Sequence, residues 1–444
     1  MNMKVLMYGW EFPPRISGGL GIACYAIVKE LAKKNVELTL ILPQTVAADC
    51  IDHVTLLGCD GLTAPNEEEF EGVVNIKYPK ITTYLSPYIN TKNFKHPLSH
   101  EAMQDFLLLL AEMHLPAALK EMARAIAEAQ AAGMEITGMY EVNLLTEVFR
   151  YALVAGALAN DVQHDVIHAH DWLTVLAALE AKRYSHKPLV LHIHALETDR
   201  SGLWVDKRIF AIEKYGMEQA DQIIAVSQYT KNNIVQYYGI PPEKITVIHN
   251  GIYCNERDSG SMDVARNNRP KMVLFLGRIT HQKGPYFFIE IAKKILEKKP
   301  DVQFVLAGTG DLLTDMIERT ASLRIGKNVH FTGFLDNEHV RDIFQLADVY
   351  VMPSVSEPFG LSALEALSYD VPAVISKQSG VAEVLHHTLV ADFWDTENMA
   401  AKILALLEYP ALSQTSLAHT RDDLRVMCWS KTAEKIIDLY KKVI

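Results

Sequence analysis

Two cationic side chains, Arg278 and Lys283, lie in the run Leu276-Gly277-Arg278-Ile279-Thr280-His281-Gln282-Lys283-Gly284, between a strand-like stretch and a helix-like one. From one loop both can reach a single diphosphate, Arg as a bidentate fork and Lys as a point charge. Further along, Ser356-Glu357-Pro358-Phe359-Gly360-Leu361-Ser362-Ala363-Leu364-Glu365 carries two carboxylates. Pro358 and Gly360 break the preceding strand, and a helix is expected to start near Gly360. The first N–H groups of such a helix have no internal partners and suit a phosphate. Glu365 falls within an almost wholly apolar helix, so its carboxylate is expected to have a polar partner. Glu357 sits at the mouth of the same turn. Two carboxylates flanking a phosphate-sized anion hole suit a sugar nucleotide; an ordinary capped helix with one salt-bridged Glu is the plain alternative.

Two histidine pairs are the other chemically suggestive feature. His168-Ala169-His170 and His192-Ile193-His194 each end a strand-like run, and alternation puts both rings of a pair on one face. Tetrahedral zinc would suit that geometry. Asp171-Trp172 and the cationic loop already offer a metal-free account, with cations taking the place of Mg²⁺ at a diphosphate. No metal is expected.

The elements that would position these residues read as alternating strands and helices. Strands are expected at Lys4–Tyr8, Glu37–Leu42, Asp165–Ala169, Leu189–Ile193, Gln222–Val226 and Lys244–Ile248, with helices between them. The turn after the first strand holds Gly18-Gly19, without the spacing of a dinucleotide fingerprint. Alternation restarts at Met272–Leu276 and continues through Gln303–Ala307, His330–Thr332, Asp348–Pro353 and Val371–Ile375. The polar, breaker-rich run Tyr253–Pro270 reads as an interdomain linker. The expected architecture is α/β, with two Rossmann-like parallel-sheet domains at about 1–265 and 266–425. A helical insertion at about 95–160 and a last helix over 426–444, crossing back to the first domain, complete it. Ligands of such sheets sit beyond the strands' carboxyl ends. Gly18-Gly19, Asp171, His194, Asn250, Arg278, Lys283 and Glu357 all fall at expected strand exits.

Composition narrows the classes. A net charge of −11 argues against a nucleic-acid binder, and the basic cluster Lys293, Lys294, Lys298 and Lys299 reads as one solvated helix face. Five cysteines with no CxxC pair suit free thiols in a reducing compartment. No signal peptide or transmembrane run is evident, and a cytoplasmic enzyme is expected.

Together these motifs resemble the retaining glycosyltransferases of the glycogen and starch synthase group, with the GT-B fold. The resemblance rests on Gly-Arg-x-x-x-Gln-Lys-Gly, on Glu357 and Glu365 eight apart, and on Gly18-Gly19-Leu20. His168-Ala169-His170-Asp171-Trp172, Val226-Ser227 and Asn250-Gly251 extend it. It implies that Arg278 and Lys283 bind the donor diphosphate, with Glu357 orienting the transferred sugar. Glu365 would hold the ribose, and Gly360, Leu361 and Ser362 would offer N–H groups to phosphate. It also implies donor contacts from Gly18 and Gly19, His194 at the sugar, and Asp171 and Asn250 on the acceptor side. Bacterial-type glycogen synthases carry Lys where this chain has Ile16 and Asn where it has Ala195. The implied activity is glucose transfer from ADP-glucose or UDP-glucose to the non-reducing end of an α-1,4-glucan, without a cofactor. Transfer to a cell-surface glycan or glycolipid is the alternative, and a nucleotide-sugar epimerase of the same fold a more distant one. The expected partners are the nucleotide sugar and the glycan acceptor, not nucleic acid; homo-oligomerisation is open.

Overall fold

The computed structural model describes residues 3–13, 18–43, 51–59, 144–202, 204–253 and 269–444. The first sheet contains β1 (Lys4–Tyr8), β2 (Glu37–Leu42), β3 (Val54–Gly58), β4 (Val166–His170), β5 (Leu189–Ile193), β6 (Gln222–Ala225) and β7 (Ile245–Val247). Its order is β3-β2-β1-β4-β5-β6-β7, parallel throughout. The second contains β8 (Met272–Leu276), β9 (Gln303–Ala307), β10 (Val329–Gly333), β11 (Val349–Met352), β12 (Ala373–Ser376) and β13 (Leu389–Ala391). Its order is β10-β9-β8-β11-β12-β13, also parallel. These are two Rossmann-like domains in the GT-B arrangement. The strands are near-continuous apolar runs because helices cover both faces, so neither face can be polar.

Helices α1 (Gly19–Lys33), α2 (Leu144–Leu158), α3 (Asp171–Ser185), α4 (Glu197–Ser201), α5 (Lys207–Gln219) and α6 (Gln228–Asn233) belong with the first sheet. Helices α7 (Pro285–Leu296), α8 (Leu313–Ser322), α9 (Asn337–Leu346), α10 (Leu361–Ser368), α11 (Thr396–Glu408) and α12 (Pro410–Val426) follow, and α13 (Trp429–Val443) ends the chain. One face of the first sheet buries Leu6, Tyr8, Ile167, Ala169 and Leu191 against α2, α3 and α5. The opposite face buries Val5, Met7, Val166, Val190 and Ile224 against α1 and against Trp429, Ile436 and Tyr440 of α13. The last helix therefore packs on the first sheet, and Lys34 pairs with Glu434 at 2.7 Å.

Of the helical insertion, the last part forms α2, which covers the sheet directly. The Tyr8 hydroxyl donates to the carbonyl of Ala155 at 3.1 Å, and that of Tyr151 to Ile41 at 2.9 Å. The earlier part of that insertion, about 95–143, falls outside the described residues, as do Arg15, Ile16, Ser17 and 254–268 of the expected linker. Strands β3 and β13 and the short α4 are additions to the sequence reading. The β3 edge strand pairs only with β2, and its segment alone lacks a clear period. No helix among the described residues is long and apolar enough to cross a membrane.

Candidate active site

Strand order reverses between β1 and β4 in the first sheet and between β8 and β11 in the second. At such switch points the following loops diverge and leave a crevice beyond the carboxyl ends. Gly18-Gly19 and His170-Asp171 follow β1 and β4; Arg278–Lys283 and Glu357 follow β8 and β11. The two crevices meet, because a Cβ placed on Gly19 would lie 3.8 Å from Leu361 Cδ1. Gly18 precedes α1 and Gly360 precedes α10, and neither offers a side-chain cap. The first N–H groups of both helices are thus left without a capping acceptor, next to each other across the cleft.

The loop after β8 is fixed from below. Ile279 N–H donates to the Thr309 carbonyl at 2.8 Å, and the Gln282 carbonyl accepts from Val355 N–H at 2.9 Å. Gly284 sits at φ +69, and a Cβ there would come within 2.1 Å of the Pro353 carbonyl oxygen. Only glycine lets the two loops approach so closely. That approach brings Lys283 Nζ to Glu357 Oε2 at 2.5 Å, with Ser354 Oγ donating to the same oxygen at 3.2 Å. Glu357 is buried and further fixed by its backbone, which bonds to Gln378 and Gly380 at 2.8 and 2.9 Å. Arg278 is exposed and, among the described residues, forms no ion pair. Its guanidinium is available to a ligand anion.

Glu365 differs from the sequence expectation. No described residue bonds its carboxylate, although burial pushes its pKa up to about 6. The side chain is only partly covered, and the polar partner it lacks is what a ligand hydroxyl would supply. Ser362 Oγ accepts from the Tyr350 hydroxyl at 2.7 Å, which holds the first turn of α10 on β11.

On the first sheet Asp171 opens α3 at φ +55, and its Oδ1 accepts from the N–H groups of His194 at 2.6 Å and Ala195 at 3.3 Å. This ties the exit of β4 to that of β5. Burial lifts Asp171 to about 6, opposed by Arg200 and by those two N–H bonds. His194 Nε2 meets His170 Nδ1 at 2.9 Å and stacks on His192 at 4.2 Å between ring centres. Burial holds His168 and His194 at about 3 and drives His170 and His192 well below the ordinary value, so all four rings are neutral near pH 7. His168, His170 and His192 could hold a metal: each has a nitrogen within 4.8 Å of the others. Asn250 is buried with its Oδ1 unpartnered. It lies beside the start of α13, where Ile252 pairs with Cys428 and Thr432 Oγ1 donates to the His249 carbonyl at 2.8 Å.

Several site-shaping residues escaped sequence reasoning. Ser356 Oγ donates to Asp199 Oδ1 at 2.7 Å and lies 3.0 Å from the Tyr229 hydroxyl. Ser227 Oγ donates to the Pro358 carbonyl at 2.6 Å, and Glu383 Oε1 accepts from Gln228 N–H at 2.8 Å and contacts His249 Nε2 at 2.6 Å. These bonds latch the Glu357 loop to the first domain. Only Ser227 carried a local signal, as a helix N-cap, because the partners are more than a hundred residues apart. Of the tryptophans at strand ends, Trp172 is buried in the core, Trp10 packs on Tyr151, and Trp204 is 90% exposed. Trp172 is thus not available to stack on a sugar.

A model of glycosyl transferases group 1 matches residues 258–420, and one of glycosyltransferase family 4 matches residues 143–256. An alpha-maltose-1-phosphate synthase of Mycolicibacterium smegmatis is 30% identical over 312 residues, covering 63% of this chain and 79% of that protein. The chain belongs to the GT-B glycosyltransferases. An uncharacterized glycosyltransferase of Methanocaldococcus jannaschii is 27% identical across 99% of this chain and 98% of its own length. A glycogen synthase of Mycobacterium tuberculosis is 26% identical across 95% of this chain and 90% of its own. Among solved structures, a sucrose-phosphate synthase from Thermosynechococcus elongatus superposes with a TM-score of 0.68 at 17% identity, covering 99% of each chain. That last likeness is one of fold. In this glycosyltransferase the two switch-point crevices approach one another at Gly19 and Leu361.

Proposed function

We propose that the chain transfers a hexose, with retention of configuration, from a nucleoside diphosphate sugar to a hydroxyl of a cell-surface glycan or glycolipid. The observation that carries the donor half is the Lys283–Glu357 pair, set beside exposed Arg278 and the uncapped start of α10. In this reading Arg278, Lys283 and the N–H groups after Gly360 hold the diphosphate and stabilise charge growing on the leaving phosphate. Glu365 accepts from the ribose hydroxyls, and Glu357 accepts from a hydroxyl of the sugar while its other face keeps Lys283 in position. Gly18, Gly19 and His194 close the site from the first domain, and Asp171 and Asn250 stand on the acceptor side, Asp171 through the His194 backbone it holds.

The anomeric carbon–oxygen bond to the diphosphate breaks as the acceptor oxygen bonds to that carbon on the same face. The acceptor proton passes to the departing phosphate oxygen. Retention through a covalent sugar needs a carboxylate close beneath the ring. Here Glu357 is committed to Lys283 and Asp171 to backbone N–H groups, which favours front-face attack.

The acceptor assignment rests on two kinds of support. Relatives named for inositol phosphate and phosphatidylinositol acceptors stand beside those named for glycogen, so the shared site does not single out a polymer. Trp172, within the segment that carries the glucan resemblance, is buried rather than offered to a sugar chain. Elongation of an α-glucan from ADP-glucose or UDP-glucose is the second reading, favoured by the near full-length similarity to a glycogen synthase. Radiolabelled nucleotide sugars, offered with glycogen and with a membrane-lipid extract in parallel, separate the two. Label in the lipid or lipid-linked glycan fraction supports the proposal, and label in glycogen alone replaces it with the second reading.

A further inference from the structure

Three histidines of the β4 and β5 pairs, His168, His170 and His192, converge on a place that the proposed transfer reaction does not use, whereas His194 faces the donor site in that reading. His170 and His192 are direct neighbours in the β4–β5 register, and His168 is one step below on the same face. All three are fully buried between the sheet and α13. Their rings lie close, with centres 4.5 Å apart for His168 and His170 and 5.4 Å from His192 to each of them. Among the described residues, four ring nitrogens here find no hydrogen-bond partner: Nε2 of His168, Nε2 of His170 and both nitrogens of His192. A buried polar atom left unsatisfied is destabilising, and here four occur together.

The bonds that do exist decide which lone pairs are free. His168 Nδ1 is bonded to the Tyr440 hydroxyl, and His170 Nδ1 to His194 Nε2. When each Nδ1 carries its proton and donates, Nε2 of both rings is a bare lone pair, and those are two of the unpartnered atoms. A hydrogen bond at the outer nitrogen that fixes tautomer and ring orientation is the usual support of a metal-binding histidine. His192 contributes a third ring, and one ring nitrogen from each of the three lies within 4.8 Å of the others.

We propose that His168, His170 and His192 bind a first-row transition ion that prefers imidazole nitrogen, with Zn²⁺ as its leading representative. Three neutral ligands and no carboxylate argue against Mg²⁺ and Ca²⁺, which take oxygen. A three-histidine set leaves a fourth position for water or hydroxide, the latter offsetting part of the ion's charge. The ion lies where Tyr440 anchors the last helix to the first sheet, so its role is to hold that helix in place. It is separate from the diphosphate, and the proposal stands whatever the acceptor proves to be.

The test uses the untagged full-length chain, stripped with a strong chelator and titrated with Co²⁺ and then Zn²⁺. The expected result is one equivalent of Co²⁺ with a visible ligand-field band, its displacement by Zn²⁺, and a rise in Tm with either ion. Tyr440→Phe removes the support of His168 and should weaken binding about ten- to a hundredfold while keeping the band. His192→Phe should abolish the band and the metal-dependent rise in Tm. Wild-type protein showing neither band nor Tm shift overturns the site, as does a His192→Phe protein that binds as tightly as wild type. The wild-type titration decides the matter if either variant fails to fold.

Discussion

Lys283 Nζ stands 2.5 Å from Glu357 Oε2, so the cation and the carboxylate that follow the two switch-point strands of the second sheet hold one another. Removing Lys283 takes away a diphosphate contact and also leaves a buried carboxylate short of its partner. Lys283→Ala should lower kcat on the order of a hundredfold or more and weaken donor binding. It should also cost about 1–3 kcal/mol of stability. Adding Glu357→Gln to it should restore Tm without restoring turnover, as thermal melts and steady-state rates on one preparation would show. Near-normal kcat in Lys283→Ala would remove the pair from the reaction.

Arg278 gives the complementary case. It is exposed and without an ion pair among the described residues, so nothing in the fold depends on its charge. Arg278→Ala should leave the unfolding free energy within about 0.5 kcal/mol of wild type, as surface substitutions usually do. Its kcat should fall by about a hundredfold, since its charge is matched to the leaving diphosphate. Arg278→Lys should recover only part of the rate, because the fork is lost.

The pH dependence of donor binding should follow Glu365. Its pKa is raised by burial to about 6, so the folded chain holds this proton more tightly than the unfolded one. The stability it contributes is full below the ordinary carboxyl range and is lost as pH rises through about 6. Glu365→Gln should therefore be more stable at neutral pH, by up to about 2 kcal/mol. A carboxylate that accepts from ribose hydroxyls should let the donor KM rise as pH falls below 6. The glutamine variant should bind donor weakly at every pH, with that slope gone. A slope that survives in Glu365→Gln would assign it elsewhere.

Neutralisation of the diphosphate by Arg278, Lys283 and helix N–H groups predicts that turnover does not require Mg²⁺. Rates measured with and without added Mg²⁺, in the presence of EDTA, should agree within about twofold, well under one tenfold step of 1.4 kcal/mol. An absolute requirement for Mg²⁺ would overturn the cationic-loop account.

The latch around Pro358 should govern closure of the two domains on the donor. A Cβ on Gly380 would fall 2.2 Å from the Pro358 carbonyl oxygen and 2.4 Å from Ser227 Cβ, so Gly380→Ala must push the domains apart. Both kcat and donor KM should worsen, and small-angle scattering with nucleotide sugar should show a larger radius of gyration than wild type. Unchanged kinetics and compaction in this variant would show that the latch does not govern closure.

Much of the architecture is legible in the sequence because its signals are local. Mostly apolar runs of five or six residues, followed by Gly, Pro or His, mark these buried parallel strands. β1, β2, β5, β8 and β9 fall where the pattern places them. Arg278, Lys283, Glu357 and Gly360 are readable as candidate site residues because strand exits in such sheets are where ligands bind. What the sequence cannot carry is the meeting of distant segments. Glu365 looks from its helix like a carboxylate with a partner, and only the packing of α10 leaves it without one. Trp172 follows a strand end, where stacking on a sugar and a core role are both open from the sequence, and the packing of the first sheet buries it. The latch joins Asp199 to Ser356 and Ser227 to Pro358, and no local pattern specifies a contact across such a separation. The histidine pairs are visible as letters, but their gathering depends on the β4–β5 register and on Tyr440, some 270 residues beyond His168. Period and turn chemistry are set residue by residue, whereas register and domain contact are fixed only when the whole chain has packed.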